Sequence, residues 1–121
     1  MDWLRCSLLT LILLAGACAS PAFAGNHIRA SLVAESATAA PGKPVAIAIR
    51  MQPQPGWHGY WQNPGDAGLS AQVRWTLPDG VTVTALRYPV PERLLIAGLM
   101  NHVYNSEHAL LGTLDVSASL P

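Results

Sequence analysis

Two cysteines, Cys6 and Cys18, are the only thiols in this 121-residue chain, which also carries four histidines, three methionines and four tryptophans. A thiolate is the attacking group in disulfide exchange and no other side chain replaces it. The fate of these two sulfurs therefore decides whether the chain can do that chemistry. Both lie near the amino end, where Arg5 precedes the apolar run 8–14 and Ser20-Pro21-Ala22-Phe23-Ala24 ends in a small-x-small pattern. This is the layout of a secretory signal peptide, residues 1–24, cut after Ala24. A membrane anchor needs about 20 apolar residues, more than this run supplies before Ser20 and Pro21 intervene. A lipoprotein cut before Cys18 is disfavoured because Ala15 stands where a large aliphatic residue is wanted. Residues 25–121 then hold no sulfur nucleophile and cannot form an internal disulfide in an oxidising compartment.

Other chemistry-bearing residues are the histidines and aromatics. Cleavage after Ala24 would expose Gly25-Asn26-His27, whose amine, two amides and imidazole can surround a square-planar Cu(II) or Ni(II); a frayed amino terminus is the ordinary alternative. His58, His102 and His108, with Met51 and Met100, offer further donors, but no pair has the i, i+4 spacing of a helical metal motif. Satisfied or surface histidines are the expectation, and no metal site and no cofactor is assigned. Trp57, Tyr60 and Trp61 suit either a sugar-stacking platform or a core, and core packing is expected. Neither Gly-x-Ser-x-Gly nor His-Glu-x-x-His occurs, so no catalytic residue is named. Seven basic residues balance seven acidic ones and are scattered singly, with Lys43 the one lysine, which excludes a counterion-releasing nucleic-acid surface.

Period-2 alternation dominates the elements that must position these groups. Residues 27–35, 45–51 and 69–77 alternate apolar and polar side chains, the last most cleanly, and 81–88, 94–99 and 109–116 complete a set of β-rich segments. Turn chemistry separates them: Pro41-Gly42, Pro55-Gly56, Pro64-Gly65 and Asp79-Gly80. Asn63-Pro64-Gly65-Asp66 in particular predicts a type II turn with positive φ at Gly65. Within 57–61, Trp57 and Trp61 are expected on one side with Gly59 leaving room between them. The fold class predicted for residues 25–121 is one all-β domain, an immunoglobulin-like antiparallel β-sandwich. The abrupt stop at Ala118-Ser119-Leu120-Pro121 leads us to expect that the domain is truncated at its carboxyl end.

The run from Pro55 through Gly56-Trp57-His58-Gly59-Tyr60-Trp61-Gln62-Asn63-Pro64-Gly65-Asp66 to Leu69, then Trp75-Thr76-Leu77-Pro78-Asp79-Gly80 and Tyr88-Pro89-Val90-Pro91-Glu92-Arg93, resembles the periplasmic N-terminal domain of DsbD-type thiol:disulfide interchange proteins. The similarity is greatest to the branch containing the suppressor-of-copper-sensitivity proteins. The resemblance implies an immunoglobulin-like domain that takes electrons from a membrane-embedded donor domain and passes them, through a cysteine pair, to periplasmic thiol-disulfide proteins. Residues 25–121 lack that pair, so the protein-disulfide reductase activity of the family is not expected of this chain alone. The resemblance also implies a loop that covers the cysteine pair, in the place taken here by Asn101, His102, Val103, Tyr104 and Asn105. An ordinary hairpin loop packed on the sheet edge is the alternative for that segment. For the whole chain, the alternative to a redox relay is a non-redox periplasmic binding or copper-handling module.

Overall fold

Apolar residues at every second position drive strands together only where a neighbouring strand satisfies the backbone, and seven segments meet that condition. The computed structural model describes residues 25–119; the expected leader, with Cys6 and Cys18, lies outside the described residues. The strands are β1 (Ile28–Ala34), β2 (Val45–Pro53), β3 (Gly59–Gly65), β4 (Val81–Val83), β5 (Glu92–Ile96), β6 (Leu99–Tyr104) and β7 (His108–Val116). They form a four-stranded sheet of order β1-β2-β7-β4 and a three-stranded sheet of order β3-β6-β5. Every pairing is antiparallel. No helix occurs among the described residues, and the chain is the all-β, immunoglobulin-like sandwich that the alternation predicted.

The core sits where the middle strands of the two sheets face each other. Val45, Ile47 and Ile49 of β2, Leu110 of β7, and Val103 and Tyr104 of β6 are its buried apolar residues. Leu110 and Val103 are almost wholly enclosed, a burial that contributes roughly 2 kcal/mol for each such side chain. Gly112 of β7 keeps the face flat: a Cβ there would stand 3.1 Å from Leu86 Cδ2, so the segment after β4 leans directly on the sheet.

Three of the four turn sequences behave as their residues dictate. Lys43 N–H donates to Ala40 O at 3.1 Å, Trp57 N–H to Gln54 O at 2.9 Å and Val81 N–H to Pro78 O at 3.2 Å. Each encloses a glycine of positive φ at the third position (Gly42, Gly56 and Gly80). The fourth departs from expectation. Gly65 has φ +91° as predicted, yet Asp66 N–H donates to Met100 O at 2.8 Å instead of closing on Asn63. The Pro64-Gly65 step is a register shift inside β3, from Tyr60↔Val103 to Gly65↔Asn101. The dihedrals were set locally; whether the chain reversed was decided by β6, which runs alongside and captures the next amide.

Three further expectations are corrected. Residues 69–77 belong to no strand. Alternation orders side chains into two faces and supplies no backbone partner. The stretch 81–88 is a strand only over β4, followed by an isolated bridge between Arg87 and Leu111. The stretch 94–99 is broken at Ala97-Gly98, whose φ values of +49° and +82° make a two-residue turn of the primed kind between β5 and β6. An alanine in that conformation costs roughly 1 kcal/mol, and without Asn or Asp the turn leaves little trace in the sequence.

Candidate functional site

A cleft of about 450 Å³ opens where the start of β1, the Gln54-to-His58 turn and the start of β7 converge. The turn at Pro55-Gly56 throws Trp57 outward, and the indole is 49% exposed. The core position expected for Trp57 is thus corrected: it precedes the first residue of β3, so the alternation of that strand does not orient it. Its ring stacks instead on His27, with centroids 3.5 Å apart and planes 8° from parallel. His27 Nδ1 lies 3.1 Å from Gln54 Oε1. Because an amide oxygen only accepts, that nitrogen carries the proton. Trp61 goes elsewhere, edge-on to His102 at 5.6 Å, and His102 Nδ1 donates to Asn63 O at 3.0 Å. The two indoles therefore serve different imidazoles rather than one shared surface.

The floor of the cleft is built by β3 and β7. His108 stacks on Tyr104, with centroids 4.0 Å apart, and its Nδ1 donates to Ser106 O at 3.0 Å, which leaves Nε2 as the acceptor of the neutral ring. Gly59 makes room for this imidazole: a Cβ at that position would lie 3.3 Å from His108 Cε1. The gap expected at Gly59 is real, but a histidine fills it. His58 Nε2 lies 3.2 Å from Tyr60 Oη. Tyr88, Met51 and Leu110 complete an apolar lining. Each of the four imidazoles thus has a protein partner, and among the described residues no three His, Cys, Asp or Glu side chains converge as a metal-binding group. What the cleft offers chemically is a flat, aromatic, weakly polar surface suited to contact, with exposed Trp57 at its rim.

The five residues named from the resemblance are brought together, though not as a loop. Asn101, His102, Val103 and Tyr104 lie in β6, the middle strand of its sheet, and Asn105 begins the turn to β7. Asn101 is 2% exposed; its Oδ1 accepts from Ala67 N–H at 3.2 Å and its Nδ2 donates to Leu99 O at 3.2 Å. Tyr104 Oη donates to Pro89 O at 2.7 Å. Burial of this hydroxyl, with the nearby Tyr88, pushes its pKa from 10.0 up to about 12. Asn105 Nδ2 donates to Glu92 Oε2 at 3.0 Å. The segment is a wall tied to β5, to β3 and to the 89–91 stretch.

Sequence reasoning missed one polar cluster at the edge of this region. Glu107, in the β6–β7 turn, accepts from Arg50 Nε and Nη2 and, at 2.9 Å, from Gln52 Nε2. The guanidinium beside it and the two-pronged hydrogen bonding hold Glu107 below, and Arg50 above, their ordinary pKa values. No sequence signal joins residues 57 positions apart; the β2–β7 register, which sets Met51 opposite His108, does so.

The family model described as "Thiol:disulfide interchange protein DsbD, N-terminal" matches residues 29–120. No curated protein and no solved structure matches the chain.

Proposed function

This chain belongs to the N-terminal domain family of DsbD-type thiol:disulfide interchange proteins, a family of periplasmic domains, and on that premise we propose that it is the protein-contacting domain of a periplasmic electron relay whose redox cysteines lie outside residues 25–121. The family match carries the reading, since it spans the sandwich from β1 to the end of β7. The cysteine-free sequence from Gly25 onward defines its limit. Thiol–disulfide exchange passes through a mixed disulfide between two sulfurs. This domain alone therefore supplies recognition and not electrons. Its partners are periplasmic thiol-disulfide proteins and a membrane-embedded donor domain, and export runs through the leader cut after Ala24. The aromatic cleft rimmed by Trp57 is the contact surface. Asn101, His102, Val103, Tyr104 and Asn105 take the place of the family's cap over the cysteine pair, and their position in and beside β6, between the β5 and β3 ladders, favours a fixed wall over a flap.

The test is direct. Purified protein beginning at Gly25 is expected to show no thiol titre and no reduction of insulin disulfides, yet to perturb the Trp57, Tyr60 and His108 resonances when titrated with a periplasmic thioredoxin-like protein carrying a Cys-x-x-Cys pair. Reductase activity from clean protein, or the absence of any perturbation at high partner concentration, overturns the proposal. Sequence beyond Pro121 provides a second check: a cysteine pair followed by apolar runs of about 20 residues fits the relay, and a stop codon with no cysteine turns the reading to a non-redox module.

A further inference from the structure

We propose that two copies of this chain associate through β1, pairing antiparallel about a two-fold axis to continue the four-stranded sheet from one molecule into the other. Among the described residues β1 is an outer strand, bonded only to β2. Its seven residues run in unbroken register from Ile28↔Pro53 to Ala34↔Ile47. It has no proline, no lysine and no bulge to blunt the edge, and Arg29 is its one charged residue. Leu32 and Val33 are 60% and 50% exposed.

The hydrogen-bond parity shows which backbone groups face outward. Glu35 N–H donates to Ala46 O and His27 O accepts from Gln54 N–H. The odd-numbered residues of the strand therefore turn their polar groups toward β2. Those of Ala30, Leu32 and Ala34 point the other way, a template for another strand.

The side chains favour a second copy as the occupant. With Leu32 on the two-fold axis, Ala30 lies opposite Ala34 of the second copy and the Leu32 side chains meet on the inner face. Arg29 then lies opposite Glu35 of the second copy, just past the end of β1, twice by symmetry; Glu35 Oε2 accepts from Ala46 N–H of its own chain at 3.2 Å, which leaves Oε1 for the guanidinium. These are non-hydrogen-bonded positions, where Cα atoms approach to about 4.5 Å and side chains are closest. The strand is complementary to itself in hydrogen bonding, shape and charge, which an isologous interface requires.

Sedimentation equilibrium over a concentration series, on the chain as isolated from its exporting host, tests this with the wild type, Arg29→Glu, Glu35→Arg and the double exchange. A reversible dimer is expected, weakened about tenfold or more by either single change and restored to within about threefold by the double. In parallel, amide exchange on the unaltered protein should show Ala30, Leu32 and Ala34 gaining protection with concentration, while Ser31 and Val33 are protected throughout. Arg29 is exposed, so the thermal midpoint of Arg29→Glu should hold; Glu35 Oε2 accepts from Ala46 N–H at 3.2 Å, so Glu35→Arg and the double exchange should melt slightly lower while remaining folded, and the exchange measurement depends on no variant. A monomer persisting to ~1 mM, a dimer indifferent to the single changes, or a double exchange that fails to restore it would each overturn the proposal.

Discussion

β6 is bonded on both flanks, and its Asn101, Val103 and Tyr104 are the most enclosed part of the three-stranded sheet. Residues 69–77 join no ladder and leave Leu69 86% exposed and Val73 38% exposed. β6 has no regular alternation, with Asn101 and His102 side by side, whereas 69–77 alternates apolar and polar residues throughout. The contrast shows that a strand's standing in this fold follows from its neighbours: two hydrogen-bonding flanks bury a side chain that alternation alone leaves in water. Val73 and Trp75 line one shallow pocket with Ala30, Leu32 and Ile49, so this part of 69–77 lies near the four-stranded sheet without joining its ladder.

The largest expected effect concerns the junction that locks β3 to β6. Gly65→Val combines a positive φ with a Cβ 2.3 Å from Met100 O, a backbone atom with little room to retreat. A loss of about 3 kcal/mol or more is expected in urea unfolding; a variant within about 0.5 kcal/mol of wild type would mean that this junction yields easily and that β6 is not held as described. Next, Val103→Ala, at a side chain with no exposure, should cost about 2 kcal/mol, whereas Val73→Ala should cost under about 1 kcal/mol. Equal costs would erase the distinction between the two segments.

Tyr104→Phe removes the hydrogen bond to Pro89 O and should cost about 1 kcal/mol. In the parent protein the tyrosine is neutral in the fold and its pKa is raised, so its contribution is complete below pH 10 and disappears as pH climbs toward about 12. Ultraviolet titration of phenolate at increasing pH, with and without this tyrosine, measures it; a Tyr104 that ionises near 10 would show that its hydroxyl is wet. Hydrogen exchange then sharpens the comparison at low energy: amides across 69–77 should exchange within seconds while those of Asn101 and Val103 persist. The smallest effect belongs to the exposed Arg50–Glu107 pair. Glu107 has a lowered pKa in the fold, so its contribution is present above the ordinary glutamate range and fades as pH falls through the lowered value. Salt should screen it, and an Arg50→Gln variant with an unchanged acid limb of the stability curve would show that the pair contributes nothing.

Much of the architecture was legible. β1, β2 and β7 lie within or close to the segments 27–35, 45–51 and 109–116 read from the sequence, and the inward face of Val45, Ile47 and Ile49 follows from the alternation of β2. Positive φ at Gly65 followed from the Asn63-Pro64-Gly65-Asp66 sequence, and the breaks read at Pro41-Gly42, Pro55-Gly56 and Asp79-Gly80 hold glycines of the same kind. The site was harder to read. Trp57 was expected inside and stands at a cleft rim, because one turn residue earlier the chain has not yet entered β3. Gly59 was understood as a gap, but the ring that fills it comes from His108, far along the chain. Asn101 looked like a loop residue until its amide was seen closing on Ala67 and Leu99 from within a strand.

By itself the sequence determined composition and local geometry: no cysteine after residue 24, a secretion-like opening, two-faced segments and the dihedrals of its turns, all of which depend on residues within a few positions of one another. The tertiary structure alone decided which extended segments became strands, which way Pro64-Gly65 led the chain, and how four histidines were distributed among Trp57, Tyr60, Trp61 and Tyr104. Those outcomes depend on backbone groups and rings brought together from distant positions, and no local pattern encodes which partner arrives.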